Sequence, residues 1–219
     1  MRNVLLTGAS RGIGKAIKEL LEQNGYCVFA PTRQELDLAD PTQISKYLQT
    51  LAPVDILINC AGINELAGID ELTAEQLERS LQINLKSQLQ LITGVCPHMK
   101  QQKWGRIVNF SSIWCQFSKP RRLSYCMAKA GVTGLTVATA VELAPYNILV
   151  NAVAPGFVNT EMTSQNNTPQ QIAQLAEALP IKRLADPKEI AELVVFLISD
   201  KNSFMTGQTL FIDGGFSCI

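Results

Sequence analysis

Histidine is almost missing from this sequence: His98 is the only one, and the six cysteines (27, 60, 96, 115, 126 and 218) include no C-x-x-C pair. That scarcity removes the usual ligand sets of a metal site, so no metal-binding residue is assigned. Scattered cysteines without a disulfide framework fit a reduced, cytoplasmic protein. Net charge is absent as well, because nineteen basic and nineteen acidic side chains cancel over 219 residues. No field of one sign therefore points to nucleic acid or to a membrane surface. No apolar run approaches the ~18 residues of a spanning helix, and the first expected strand starts too close to Met1 for a signal peptide. Internal repeats and low-complexity linkers are lacking too. A single domain over 1–219 is expected, long enough to bury a sizeable core.

What is present alternates. Apolar runs near 3–7, 26–30, 54–59, 105–110, 147–153 and 209–212 read as strands, with a short one near 36–38. Amphipathic stretches near 13–24, 41–50, 74–100, 123–144, 169–178 and 187–199 read as helices. Strands and helices in turn, at these lengths, imply an α/β fold: a doubly wound parallel sheet with helices on both faces. Asp186-Pro187-Lys188-Glu189 is a strong helix start, with Asp at the cap and Pro at the first position. The stretch 159–169 has no periodicity and reads as a surface loop or a mobile cover.

Four local patterns carry chemistry. The first is Thr7-Gly8-Ala9-Ser10-Arg11-Gly12-Ile13-Gly14, between the apolar run Val4-Leu5-Leu6 and an amphipathic helix. A strand, a glycine turn and a helix start in that order make a phosphate cradle: Gly8 permits the turn, Gly12 lets the backbone approach, and Gly14 packs helix on sheet. The spacing is G-x-x-x-G-x-G, and a structural turn with no ligand is the bland reading. The second is Tyr125 and Lys129, one helical turn apart and so on one face. An ammonium beside the phenol is expected to lower its pKa and make it a proton donor and acceptor. Such a pair also arises by chance on helices. The third is Ser111-Ser112, ending the run Arg106–Phe110 thirteen residues before Tyr125, where a strand's carboxyl end can hold a ligand or merely turn. The fourth is Asp55–Gly62, a buried strand running into the small-residue turn Asn59-Cys60-Ala61-Gly62.

Together these residues resemble the short-chain dehydrogenase/reductases over essentially the whole chain. The glycine turn, Asn59 to Gly62, the Asn of Ile83-Asn84-Leu85, and Ser112, Tyr125 and Lys129 all stand at the family's spacing. Pro155-Gly156-Phe157-Val158-Asn159-Thr160 is similar to the loop that closes over the nicotinamide. Within the family, the segments 151–157, 181–191 and 205–210 look most like 3-oxoacyl-(acyl-carrier-protein) reductases of fatty acid biosynthesis. The resemblance implies a Rossmann-type fold with a substrate lid near 159–180, and hydride transfer between a nicotinamide and a carbonyl or alcohol carbon. It makes Asn84, Ser112, Tyr125 and Lys129 catalytic. Tyr125 would pass the proton, Ser112 would hold the substrate oxygen, and Lys129 would tune Tyr125 and bind the nicotinamide ribose. Asn84 would distort a long helix and anchor a water that links Lys129 to solvent. Ser111 would support the turn. At the cofactor it places Gly8, Ser10, Arg11, Gly12, Ile13, Gly14, Arg33, Asp37, Leu38, Asn59, Ala61, Gly62, Tyr125, Lys129, Pro155, Gly156, Val158 and Thr160.

Charge favours NADP(H) over NAD(H). Arg11 lies in the turn, Arg33 lies where the second strand should end, and no acid follows that strand until Glu35. Guanidinium groups hold a 2′-phosphate well, although exposed arginines are common. The segment Arg33–Asp37 is shorter than in most of the family, as in its nucleotide-sugar reductases, and leaves no room for an ordinary helix. Lys119, Arg121 and Arg122, with Lys100 and Lys103 farther back, could form a basic rim for an acidic carrier protein or a phosphorylated substrate, or a solvated loop. Trp114 and Phe117 either line an apolar or sugar-stacking pocket or pack beneath the loop. The expected substrate is a small-molecule or carrier-bound carbonyl, a 3-oxoacyl thioester first and a keto-sugar, nucleotide-sugar or polyol second. A non-catalytic NADP-binding sensor is the alternative of a different class. A homotetramer or homodimer through the helices near 74–100 and 123–144 and the C-terminal strands is the family's habit.

Overall fold

A computed structural model describes residues 1–219. Six parallel strands, β1 (Asn3–Thr7), β2 (Cys27–Phe29), β3 (Ile56–Asn59), β4 (Gly105–Phe110), β5 (Ile148–Pro155) and β6 (Thr209–Ile212), form one sheet in the order β2-β1-β3-β4-β5-β6. The chain runs outward from β1 to β2, then crosses back to β3 on β1's other side. The carboxyl ends of β1 and β3 therefore flank the topological switch point, where a crevice opens.

Alternation along each strand sends side chains to two separate cores. Val4, Leu6, Ile58, Val108 and Val153 pack against α1 (Gly12–Gln23) and α8 (Pro187–Ile198) through Ile17, Leu21, Ile190 and Val194. Leu5, Leu57, Ile107 and Val150 pack on the other face against α2 (Pro41–Thr50), α4 (Ser87–Gln102) and α5 (Leu123–Leu143), through Ile44, Leu91, Val95, Met99 and Leu143. Near-continuous burial of β3, β4 and β5 follows from having helices on both faces.

Caps set the helix starts. Asp40 accepts from Thr42 and Gln43 ahead of α2, and Thr73 and Gln76 form a capping box for α3 (Ala74–Leu81). Thr168 with Gln171 opens α7 (Pro169–Ala178), and Asp186 with Glu189 opens α8 as the sequence predicts. The long helix expected at 74–100 runs to 102, but it is broken into α3 and α4 by a π-helical turn at Gln82–Lys86.

Two expectations are corrected. Residues 36–38 form no strand. Glu35 accepts from both the N–H and the hydroxyl of Thr32 (2.7 and 2.9 Å), and the Leu36 N–H bonds back to the Thr32 carbonyl (2.9 Å). The chain thus curls into a tight turn, too short for a parallel crossover, and drops Leu36 into the core. The aperiodic stretch after 159 holds a short helix, α6 (Glu161–Gln165).

Candidate active site

The site grows from the carboxyl ends of the strands. The chain leaves β1 through the glycine turn, where Gly8 has φ +75° and Gly12 φ +53°. A Cβ on Gly8 would stand 2.7 Å from the Ala61 Cα, and one on Gly14 only 2.0 Å from the Gly8 carbonyl oxygen. No side chain fits either place, so the backbone itself forms the wall. Of the longer helices near the cleft, α1 begins without a side-chain cap, which leaves its first N–H groups facing the crevice. A bare helix start of this kind suits a pyrophosphate.

A cleft of about 420 Å³ runs along these ends. Its walls contain Gly8, Ser10, Arg11, Gly12, Ile13 and Gly14, then Arg33, Asp37 and Leu38 at one end. Ala61 and Gly62 follow β3, Ser112, Tyr125 and Lys129 follow β4, and Pro155, Gly156, Val158 and Thr160 follow β5. Two expected residues lie behind the wall. Asn59 turns to the α5 face and donates to Asn109 Oδ1 (3.0 Å), and Asn109 in turn donates to Thr136 Oγ1 (3.0 Å). Asn84 is wholly buried in the π-turn. Its Oδ1 accepts from the Ile63 N–H and its Nδ2 donates to the Ile63 carbonyl, both at 3.0 Å. A π-turn adds a residue to the helix and swings one side chain out of phase, here to pin the loop after β3. A Cβ on Gly62 would lie 2.8 Å from Asn84 Oδ1 and 3.6 Å from Lys129 Nζ, so these groups crowd together.

Tyr125 and Lys129 share one face of α5, and both are buried. Lys129 Nζ donates to the Phe110 carbonyl at the end of β4 (2.7 Å) and lies 5.4 Å from the Tyr125 ring centre. Burial pushes Lys129 down to about 8, opposed by the nearby Cys60 and Cys115. Burial likewise pushes the Tyr125 phenol up to about 12, opposed by the Ser112 hydroxyl and the Arg122 guanidinium. The net direction is therefore opposite to the one expected: desolvation of the phenolate outweighs the Ser112 hydroxyl and the Arg122 charge. Ser111 ties β4 to α5 by donating to the Lys129 carbonyl (2.9 Å).

Beyond Tyr125, Trp114 and Phe117 join Phe157 and Phe216 in edge-to-face contacts with ring centres 5.4 to 6.2 Å apart. Phe216, from the far C-terminal stretch, gave no local signal of this. The basic residues separate. Arg121 turns outward to Glu71 (2.7 Å), Arg122 is buried beside Tyr125, and Lys119 lies 5.8 Å from the Trp114 ring centre. Lys100 and Lys103 sit at the start of β4, at the opposite end of the sheet. Pro31, Thr32, Cys60, Ile63, Arg79 and the α6 residues Glu161 and Met162 also line the cleft and were not singled out from sequence. Most adjoin residues that were, but their side-chain types carry no signature. No group of three or more His, Cys, Asp or Glu side chains is placed to hold a metal ion.

A switch-point crevice with a glycine cradle and a buried Tyr–Lys pair defines the class as a nicotinamide-dependent oxidoreductase. The chain belongs to the short-chain dehydrogenase/reductase family: residues 3–217 match a family described as enoyl-(acyl carrier protein) reductase. It is 37% identical over 233 residues to the 3-oxoacyl-(acyl-carrier-protein) reductase FabG of Vibrio cholerae, covering 96% of this chain and 95% of that one. It is 36% identical over 237 residues to an acetoacetyl-CoA reductase of Shinella zoogloeoides, covering 98% of each. Among solved structures, 4-hydroxyisoleucine dehydrogenase complexed with NADH superposes with a TM-score of 0.94 at 26% identity, covering both chains fully. The aldohexose dehydrogenase of Thermoplasma acidophilum superposes with a TM-score of 0.94 at 28% identity, covering 100% of this chain and 94% of that one.

Proposed function

We propose that the protein is an NADP(H)-dependent reductase of a ketone carried on a thioester, a 3-oxoacyl group, with Tyr125 as the proton donor. The observation that carries this is the Tyr125 phenol, buried, protonated and set beside Ser112 at the mouth of the dinucleotide cleft. The bound nicotinamide supplies the hydride. Ser112 Oγ donates to the substrate carbonyl oxygen and holds it against the phenol. As negative charge develops on that oxygen, Tyr125 Oη delivers its proton there. A phenol held near 12 keeps its proton at neutral pH, which suits reduction. Lys129, fixed by the Phe110 carbonyl, presents its ammonium to the ribose side of the cleft, and Asn84 fixes the loop over it. Several relatives by sequence, including those named above, are reductases of 3-oxoacyl or acetoacetyl thioesters, which supports the substrate class.

Arg33 and Arg11 on the cleft wall support NADP(H). Asp37 binds the Arg33 guanidinium at 3.3 Å and tethers it at the adenosine end. Residues 159–180 form the lid, and the Val158–Ala185 pairing brings the chain back together beyond it. The subunits assemble as a homotetramer through the outward faces of α4 and α5. A keto-sugar is the second reading, favoured by the likeness to the aldohexose dehydrogenase and by the aromatic group beside Tyr125.

The test is NADPH oxidation with an acetoacetyl thioester, wild type against Tyr125→Phe. Turnover that falls about 10³-fold in the variant, with cofactor binding retained, supports the assignment. Tight NADPH binding without turnover in the wild type removes the oxoacyl reading.

A further inference from the structure

Two adjacent arginines enter α5, and the structure treats them oppositely. Arg121 is exposed, with φ +69°, and is neutralised by Glu71, whose oxygens lie 2.9 and 2.7 Å from its two terminal nitrogens. Arg122 is only 5% exposed, and its Nε has no hydrogen-bond partner. No carboxylate balances it, and the groups that act on its charge are Tyr125 and Cys126. Arg122 precedes Tyr125 by three residues, so the two project from the same side of the helix start. Its guanidinium lies 5.9 Å from the Trp114 ring centre. Lys119, also without a carboxylate partner, approaches the same ring at 5.8 Å, and burial first, then the Arg122 charge, hold its pKa down. The start of α5 itself has no side-chain cap.

Burying a guanidinium without an acceptor is costly, and setting a second cation beside it adds to the cost. Arg106 is equally buried and its Nε also lacks a partner, but its terminal nitrogens donate to the carbonyls of Gly105, Asn147 and Asn202. Arg122 has no such set. An aromatic group, two cations without a carboxylate partner and the proton donor thus stand together beside the cleft, a set that suits a ketone carrying an anion.

Resting on the reading of Tyr125 as the carbonyl site, we infer that Arg122, with Lys119 at the rim, binds a carboxylate on the substrate, a few bonds from the carbonyl that is reduced. The carboxylate belongs either to a free oxo acid or to an oxoacyl thioester whose acyl chain ends in an acid. A plain alkyl chain against Arg122 would leave its N–H groups unpaired.

The test is steady-state reduction at saturating NADPH. One arm compares 2-, 3- and 4-oxo acids with their methyl esters; the other compares a 3-oxoacyl thioester ending in a carboxylate with the acetoacetyl thioester. In the wild type at least one carboxylated ketone should exceed its neutral counterpart tenfold or more in kcat/KM. Arg122→Gln should cut that ratio about 30-fold, mainly through KM, the loss expected for a charged hydrogen bond. Arg122→Lys should restore part of it, and Lys119→Gln, at a half-buried position, should shift the ratio the same way by less. The arm that shows the preference identifies the source of the carboxylate. A wild-type ratio of one or below in both arms, or a ratio unmoved in Arg122→Gln and Lys119→Gln, overturns the inference. Turnover that survives Tyr125→Phe would instead overturn the reading of the carbonyl site.

Discussion

Lys129 has a single hydrogen-bond partner in the protein, the Phe110 carbonyl, and its charge is held in a buried place. Its pKa falls from 10.5 to about 8 for that reason. Between those values the unfolded chain binds the proton that the folded one has released, so stability rises with pH across that window. Below about 8 the folded protein carries the full burden of the buried charge. Lys129→Met should therefore stabilise the protein at pH 7 by roughly 2 kcal/mol, a gain that shrinks as pH rises from about 8 toward 10.5, while abolishing turnover; thermal melts against pH check this. Arg33→Ala should raise KM for NADPH roughly 10–100-fold with little change for NADH, measured by initial rates. Tyr125, Lys129 and Ser112 were legible in the sequence because proton transfer restricts the side chains that can perform it. The direction of the Tyr125 shift was not, since it depends on burial by Trp114, Phe157 and other residues distant in sequence.

At the scale of elements, the π-turn at Gln82–Lys86 and the lid behave differently. The resemblance led to a distortion at Asn84, but not to its form or to the double hydrogen bond with Ile63. Those depend on where the β3 loop falls in space. Helix starts at Asp40, Thr73, Thr168 and Asp186 could be read locally, because a cap and its partners lie within three residues. The strand expected at 36–38 failed for the opposite reason: an apolar triplet shows no difference between a strand and a turn that buries one leucine. The helices α6 and α7 of the proposed lid bury no side chain, so few packing contacts hold them. Limited proteolysis should cut first within 161–178, and NADPH with substrate should slow that cleavage several-fold while cuts elsewhere stay rare.

At the scale of the whole molecule, the outward face of α5 is apolar where solvent would favour charge. Met127, Ala130, Gly134, Val137 and Val141 are all exposed, and Val141 is 73% exposed. Leu89 on α4 is exposed as well. A stripe of that kind on a finished fold calls for another subunit. On the proposed tetramer, Val141→Glu should give smaller species than the wild type in light scattering, with the circular dichroism spectrum kept. The doubly wound parallel architecture was the most legible feature, since alternating strands and helices with right-handed crossovers leave few arrangements. None of the helices is long and apolar enough to cross a membrane.

The pairing of Val158 with Ala185, reinforced by Asn159 donating to Ala185 and Ala185 to Phe157, brings the two ends of segment 159–184 together. The segment between leaves and re-enters the domain at one point, like a cassette clipped to a frame. Near that clip Thr160 packs against Gly12 of the glycine cradle, and Pro180 and Ile181 pack against Gly215 and Gly214 beyond β6. A change in the two ends of the segment is therefore felt at the phosphate turn and at the sheet's edge, whereas α6 and α7 between them bury no side chain and are the part that can vary most freely.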